Sequence, residues 1–227
     1  MTNQSELLRS QCPQCETPWC SLCAFVSLWF NSVRTYPTGI KRNIPRRFPI
    51  AGSAKWAYLH PTMKTLFLVR HAKSSWADFS VADIDRPLND RGKRDAPVMA
   101  ERLKKRGLKI EALVSSPAKR AHKTAKLFAE VLDLPKKEIL IQDDLYEAGV
   151  QQFNSVVQHL NDQFNTVALF SHNPGITDFV NTLTPTRIDN MPTCGIFAVT
   201  IKADSWRYAV HAEKEFLFFD FPKNEEE

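Results

Sequence analysis

The chain has 227 residues, of which 43% are hydrophobic and 24% charged, enough apolar material for a buried core and too much for wholesale disorder. Its net charge of +5 is local: residues 1–62 hold seven basic side chains against Glu6 and Glu16, and the remainder holds 23 basic and 23 acidic residues. The larger part is therefore neutral, which argues against a general nucleic-acid-binding face, and the longest apolar run, around Ala24–Phe30, is far short of the roughly 20 residues that span a membrane.

Residues 1–62 show no sustained helical or strand periodicity, and Pro37, Pro45, Pro49 and Pro61 interrupt any element that starts. Cys12, Cys15, Cys20 and Cys23 form two C-x-x-C pairs, a thiol set of the kind that binds zinc. The gap between the pairs is far shorter than the roughly 12 to 20 residues usual in zinc knuckles, which weighs against a metal site. The run Leu22–Phe30 lacks the n-region and the cleavage site of a secretory leader. The segment is expected to be a poorly structured or non-native leader, with Met63 as the true start. Cys194 is the single cysteine beyond it, which gives no disulfide framework and suits a reducing cytoplasm.

From residue 64 the pattern changes to alternating strands and helices. Thr65-Leu66-Phe67-Leu68-Val69 is almost wholly apolar, as a strand covered on both faces must be. A helix over 92–106 sets Ala96, Met99 and Leu103 on one stripe, tolerates Pro97 only in its first turn, and stops at Gly107. Strands are expected at Ala112–Ser115 and Ile139–Gln142, with a helix over 117–132 between them, capped by Ser116 and opened by Pro117. A helix over 151–162 presents Phe153, Val156, Val157 and Leu160. A strand over Thr166–Ser171 then feeds a helix with Asn173 as cap and Pro174 at its first position. Strands at Gly195–Ile201 and Trp206–Ala212 complete the pattern. This βαβ alternation predicts an α/β fold: a single three-layer α/β/α domain over 63–222 with a mostly parallel central sheet, and a short acidic tail at 223–227.

Three of the expected strands end in basic or imidazole side chains. The first ends in Arg70-His71-Ala72, the second leads through Ser115-Ser116-Pro117 to Arg120 in the first turn of a helix, and the fourth ends in Ser171-His172-Asn173. Ligands of open α/β sheets bind at these carboxyl ends, and helix starts favour anions. Two arginines and two histidines meeting there imply a site for a tetrahedral dianion. Guanidinium groups stand in for a metal ion in such a site, and a neutral imidazole supplies a nucleophile that carries a phosphoryl group covalently. Like charges nearby are expected to keep His71 neutral, with a backbone carbonyl fixing its tautomer. No metal and no other cofactor is expected.

Leu-Val-Arg-His-Ala at 68–72, with Arg120 and His172 downstream, resembles the histidine phosphatase superfamily, the phosphoglycerate-mutase-like group with an "RHG" signature, in which alanine here replaces the usual glycine. That departure, the segment Asp85-Arg86-Pro87-Leu88-Asn89-Asp90-Arg91-Gly92 and the phrase Ser-His-Asn-Pro-Gly at 171–175 resemble its SixA-type phosphohistidine phosphatase branch. The resemblance implies that Arg70, His71, Arg120 and His172 form the phosphate pocket, that His71 is phosphorylated, and that Arg86 reaches the same phosphate. A carboxyl group that protonates the leaving atom is best matched by Glu147, with Asp83 and Asp85 as rivals. Ser74 and Asn173 are placed among the substrate-binding residues. The expected substrate is a phosphorylated protein carrying phosphohistidine; a small phosphorylated metabolite, or phosphate binding without turnover, is the alternative. Oligomeric state is not legible.

Overall fold

The computed structural model describes residues 63–76 and 80–224. The readings made for residues 1–62, including the four-cysteine set, lie outside the described residues, as do residues 225–227 of the acidic tail. The elements are β1 (Met63–Arg70), α1 (Asp90–Lys105), β2 (Ala112–Ser115), α2 (Lys119–Val131), β3 (Leu140–Ile141), α3 (Val150–Gln158), β4 (Thr166–Ser171), α4 (Gly175–Leu183), β5 (Ile196–Lys202) and β6 (Lys214–Asp220).

The sheet runs in the order β3-β2-β4-β1-β5-β6. Neighbours from β3 to β1 pair in parallel, and β5 is antiparallel to both β1 and β6, so the sheet is mixed but mostly parallel. Leu66, Phe67, Leu68 and Val69 are all fully buried, because β1 lies inside the sheet with helices on both faces. Phe67 and Val69 face α1 and α2, packing with Ala96, Met99, Leu103 and Phe128. Leu66 and Leu68 face α3 and α4, packing with Phe153, Val157, Phe179 and Val180. Each such side chain contributes about 1.5–3 kcal/mol relative to exposure. The three-layer architecture follows from this two-sided burial.

The last expected strand is corrected. Trp206–Ala212 does not extend; it holds a short 3-10 turn, Trp206–Tyr208, and the strand comes later as β6. Asp162 is the reason: its carboxylate accepts from the Trp206 amide and from the Ser205 hydroxyl, both at 2.7 Å. The buried indole also donates to the Phe164 carbonyl at 2.8 Å, which ties the backbone down as a turn.

Helix boundaries shift for similar local reasons. Asn89 caps α1 by accepting from the Gly92 amide at 2.9 Å, so the helix starts at Asp90 and Pro97 falls well past the first turn. The buried stripe Ala96, Met99, Ala100 and Leu103 holds the helix despite the missing donor. Ser116 does not cap α2, whose N-cap is Ala118; its hydroxyl accepts from the Ala118 amide and contacts His172 instead. α3 ends at Gln158 rather than 162, because residues 161–165 turn to hold the Trp206 and Lys64 side chains. Nor does Asn173 cap α4, which opens at Gly175 after Pro174.

Glycine is required at Gly175, where an added Cβ would lie 1.6 Å from the Ala148 carbonyl oxygen. This close approach sets the loop before α3 against the start of α4. Gly175→Ala is expected to lower stability by about 1–3 kcal/mol through overpacking against backbone, read as a lower urea midpoint at constant slope; an unchanged midpoint would show that the two segments do not constrain each other.

Candidate active site

Register brings the site together. β1 and β4 pair in parallel with Arg70 opposite Ser171, so the next residues, His71 and His172, leave the sheet edge side by side. Their ring centroids are 5.0 Å apart. β2 pairs with the other side of β4, with Ser115 opposite Phe170, and carries the chain directly to Arg120 at the start of α2. Arg70, His71, Arg120 and His172 line one cavity of about 680 Å³, so the four residues expected to converge do so.

His71 is 7% exposed, and its Nδ1 lies 2.8 Å from the carbonyl oxygen of Ala72. Nδ1 therefore carries the proton, and the Nε2 lone pair points into the cavity, where Arg120 Nε donates to it at 3.4 Å. Burial holds the imidazole down at about 3; the Ala72 carbonyl opposes this, and the charges of Arg120, Arg70 and Arg86 add to it. The tautomer is the expected one. The neutral ring owes more to desolvation than to the arginines, which reverses the order of causes the sequence suggested.

His172 is also held neutral, at about 2, by burial first and then by His71 and Arg120. Its Nε2 is hydrogen-bonded to the Ser116 hydroxyl at 2.8 Å. The other ring nitrogen, Nδ1, is buried without a protein partner, and so is Arg70 Nε. Arg70 is fixed through Nη1, which donates to the Met191 carbonyl at 2.6 Å, and burial and Arg120 lower its pKa. Two buried nitrogens left without a protein partner beside a lone pair, each costing roughly 1–3 kcal/mol, mark the position a polar ligand would fill.

Arg86 joins them. It is 7% exposed and donates to the Ser75 carbonyl, the Ser74 hydroxyl and the Asp83 carboxylate, while Trp76 stacks on its guanidinium 3.2 Å from the ring centroid. Ser74 lines the cavity with its oxygen turned to Arg86. Asn173 also lines it, but its side chain braces the neighbouring loop: the carbonyl accepts from Thr177 at 2.9 Å and the amide donates to Asn190 and to the Met191 carbonyl.

Among the candidate carboxylates, Glu147 lines the cavity from an exposed position with a left-handed backbone, φ 51°. Asp85 is exposed in the 3-10 turn Asp83–Asp85. Asp83 is the carboxylate wired into the arginines, at 2.8 Å from both Arg86 and Arg120, and it accepts from the Tyr146 hydroxyl at 3.0 Å. Burial alone would raise its pKa, but hydrogen bonds from Arg86, Arg120 and Tyr146 and the Arg120 charge bring it down to about 2. Tyr146 and Trp76 were not singled out from the sequence. Tyr146 stands beside Glu147 in Leu-Tyr-Glu-Ala, and the T-shaped contact of its ring with His172, at 5.8 Å, is visible only in three dimensions. Among the described residues no group of three or more His, Cys, Asp or Glu side chains is placed to hold a metal ion.

Residues 66–156 match the family model described as the histidine phosphatase superfamily (branch 1). The fold matches the structure of the protein histidine phosphatase SixA complexed with tungstate at a TM-score of 0.60 and 26% identity, over 70% of this chain and 98% of that one. In sequence over residues 66–156, and in fold, the chain is similar to members of the histidine phosphatase superfamily. An uncharacterized chloroplastic protein of Arabidopsis thaliana is 28% identical over 155 residues, 64% of this chain and 70% of that protein. A 2,3-bisphosphoglycerate-dependent phosphoglycerate mutase of Bartonella bacilliformis is 33% identical over 86 residues, 37% of this chain and 42% of the mutase. Phosphatases and mutases thus both stand among the proteins this chain is similar to, and hydrolase activity is the one its structural neighbours support. No helix among the described residues is long and apolar enough to cross a membrane.

The neutral pair of imidazoles gives a direct test. His71 and His172 are expected to keep neutral ring ¹⁵N shifts from pH 8 down to pH 5, with His71 as the Nδ1–H form, because both folded values lie well below the usual value of 6.5. Protonation of either ring near pH 6.5 would show that burial does not control the site.

Proposed function

We propose that this enzyme is a metal-independent phosphohistidine phosphatase that works through a phosphorylated His71. One observation carries the proposal: the Nε2 lone pair of a buried, neutral imidazole faces into a pocket that gathers the guanidinium groups of Arg70, Arg86 and Arg120 and the His172 imidazole around it. Arg70, Arg86 and Arg120 supply three permanent positive charges, and Arg70 Nε and His172 Nδ1 have hydrogen-bonding capacity to spare. Such an array stabilises the equatorial oxygens of a transferring phosphoryl group. Tungstate, with which the SixA structure was solved, is a tetrahedral oxyanion of the same shape.

In the first step His71 Nε2 attacks phosphorus, the N–P bond forms as the bond to the leaving group breaks, and the departing atom takes a proton. In the second, water attacks the phosphoryl-His71, the N–P bond breaks, and the imidazole recovers its lone pair with inorganic phosphate as product. The Ala72 carbonyl stabilises the Nδ1–H as positive charge develops on the ring.

Phosphohistidine as substrate is supported by the carboxylates. Asp83, held down at about 2, is ionised at neutral pH and does not donate a proton. Glu147 is exposed, and its service as the acid remains part of the proposal. An imidazole leaving group needs less proton assistance than an alkoxide. Ser74 acts on phosphate through Arg86, and Asn173 by fixing the loop that holds Arg70. Cys194, the single cysteine of the described residues, is fully buried and its thiol is pushed up by burial, so it is an inert core residue; a cytoplasmic setting is proposed because this one cysteine offers no disulfide framework.

His71→Ala should abolish both turnover and acid-labile ³²P labelling. Arg120→Ala should lower kcat/KM by on the order of 10²–10³ or more, as loss of one preorganised donor does. Chelators should leave activity intact. Turnover of a phosphohistidine protein compared with a panel of sugar and nucleotide phosphates decides the substrate: a preference for the metabolites would replace the favoured substrate, and activity without labelling of His71 would remove the mechanism.

A further inference from the structure

Asp83 has no assigned task in the steps above, yet it is the most heavily hydrogen-bonded carboxylate in the cavity. One carboxylate oxygen accepts from Arg86 Nη1 at 2.8 Å; the other accepts from Arg120 Nη2 at 2.8 Å and from the Tyr146 hydroxyl at 3.0 Å. Its backbone carbonyl takes the remaining Arg120 nitrogen, Nη1. Two of the three guanidinium groups expected to hold phosphate are therefore bridged by two oxygens of one internal anion. The Asp83 side chain is 47% exposed, whereas those of Arg86 and Arg120 are 9% and 8% exposed, so the carboxylate approaches the buried cations from the solvent side. The same Arg120 covers the His71 lone pair through its Nε.

We propose that Asp83 is an internal competitor for the phosphate site. It holds Arg86 and Arg120 as a planar two-oxygen substitute for phosphate, gives them up to an incoming dianion, and takes them back as product leaves. Transfer of Arg120 from the carboxylate to the phosphoryl oxygens also uncovers Nε2 of His71, so anion binding and exposure of the nucleophile become one event. Charge explains why such a device is useful. Three guanidinium groups beside two neutral rings present three positive charges to the product dianion, and one adjacent carboxylate reduces that to two. A pocket of unopposed arginines would bind inorganic phosphate tightly and release it slowly.

A purely structural role for Asp83, aligning the two arginines, makes the opposite prediction about affinity. The proposal rests on the cavity being the phosphate site, and the experiment separates the two failures. Tungstate binding to the full chain and to Asp83→Asn and Asp83→Ala is measured by calorimetry at neutral pH. Both variants should bind tungstate tighter by on the order of tenfold, the size expected when a like charge within hydrogen-bond range is removed from a partly solvated site. Inhibition by inorganic phosphate should strengthen in parallel. Tungstate bound by the unsubstituted chain but held equally or more weakly by the variants would overturn the competitor role and make Asp83 an aligning residue. A full chain that binds no tungstate would overturn the phosphate site itself, and this inference with it.

Discussion

Everything in the site depends on keeping one imidazole uncharged, with a free lone pair, among guanidinium groups that cannot lose their charge. Burial does most of this, since His71 is almost inaccessible and protonation would place another cation beside Arg120, Arg70 and Arg86. The Ala72 carbonyl pulls the other way, more strongly than any single arginine pushes, and it settles which nitrogen carries the proton. In the proposed mechanism, an imidazole prepared in this manner needs no separate base. The arginines in turn need acceptors to lie beside one another at low exposure. They find them in backbone carbonyls, Met191 for Arg70, Ser75 for Arg86 and Asp83 for Arg120, which neutralise none of the charge, and in the Asp83 carboxylate, shared by Arg86 and Arg120, which offsets part of it.

The sheet supplies the positions. Because β1 and β4 are parallel neighbours and β2 lies on the other side of β4, three successive carboxyl ends deliver their following residues to one edge. The β1 to β4 register, one hydrogen bond from the His71 amide to the Ser171 carbonyl at 3.0 Å, and the burial of Leu66 to Val69 then fix the separation of the two histidines to that of neighbouring strands. The core that stabilises β1 thereby also orients His71. Only Arg70, itself the last residue of β1, separates the fully buried Val69 from His71.

That coupling is why these residues were legible in the sequence. Arg70 with His71, Arg120 and His172 each lie at the end of an apolar run, so a reading that finds the strands also finds the site. Side chains whose role depends on two loops meeting were not legible. Trp76 and Tyr146 come from the segments before α1 and α3, and Asp83, legible only as a rival proton donor, shows its bonds to the arginines and to Tyr146 only once the fold brings these segments together. The same limit explains the strand misplaced at Trp206–Ala212. Its apolar residues have strand composition, but a carboxylate distant in sequence, Asp162, binds its backbone and curls it. Ser116 and Asn173 have cap-forming side chains, and tertiary partners, His172 for one and Thr177 with the Met191 loop for the other, take those side chains away from the helix ends.

Charge in the pocket also bears on the leaving group. A carboxyl that serves as a general acid has to be protonated when substrate is bound, so its surroundings must raise its pKa. The surroundings of Asp83 do the reverse, because the cations that attract phosphate attract the carboxylate first. A pocket that gathers guanidinium groups this closely therefore excludes a protonated acid from their immediate reach, and any proton donor has to stand farther out, as Glu147 does at the exposed rim. Substrates whose leaving atom is already stable, or easily protonated from solvent, lose least under that constraint. The nitrogen of a phosphorylated imidazole is such an atom and the oxygen of an alkyl phosphate is not, which is the electrostatic ground for proposing a phosphoramidate substrate.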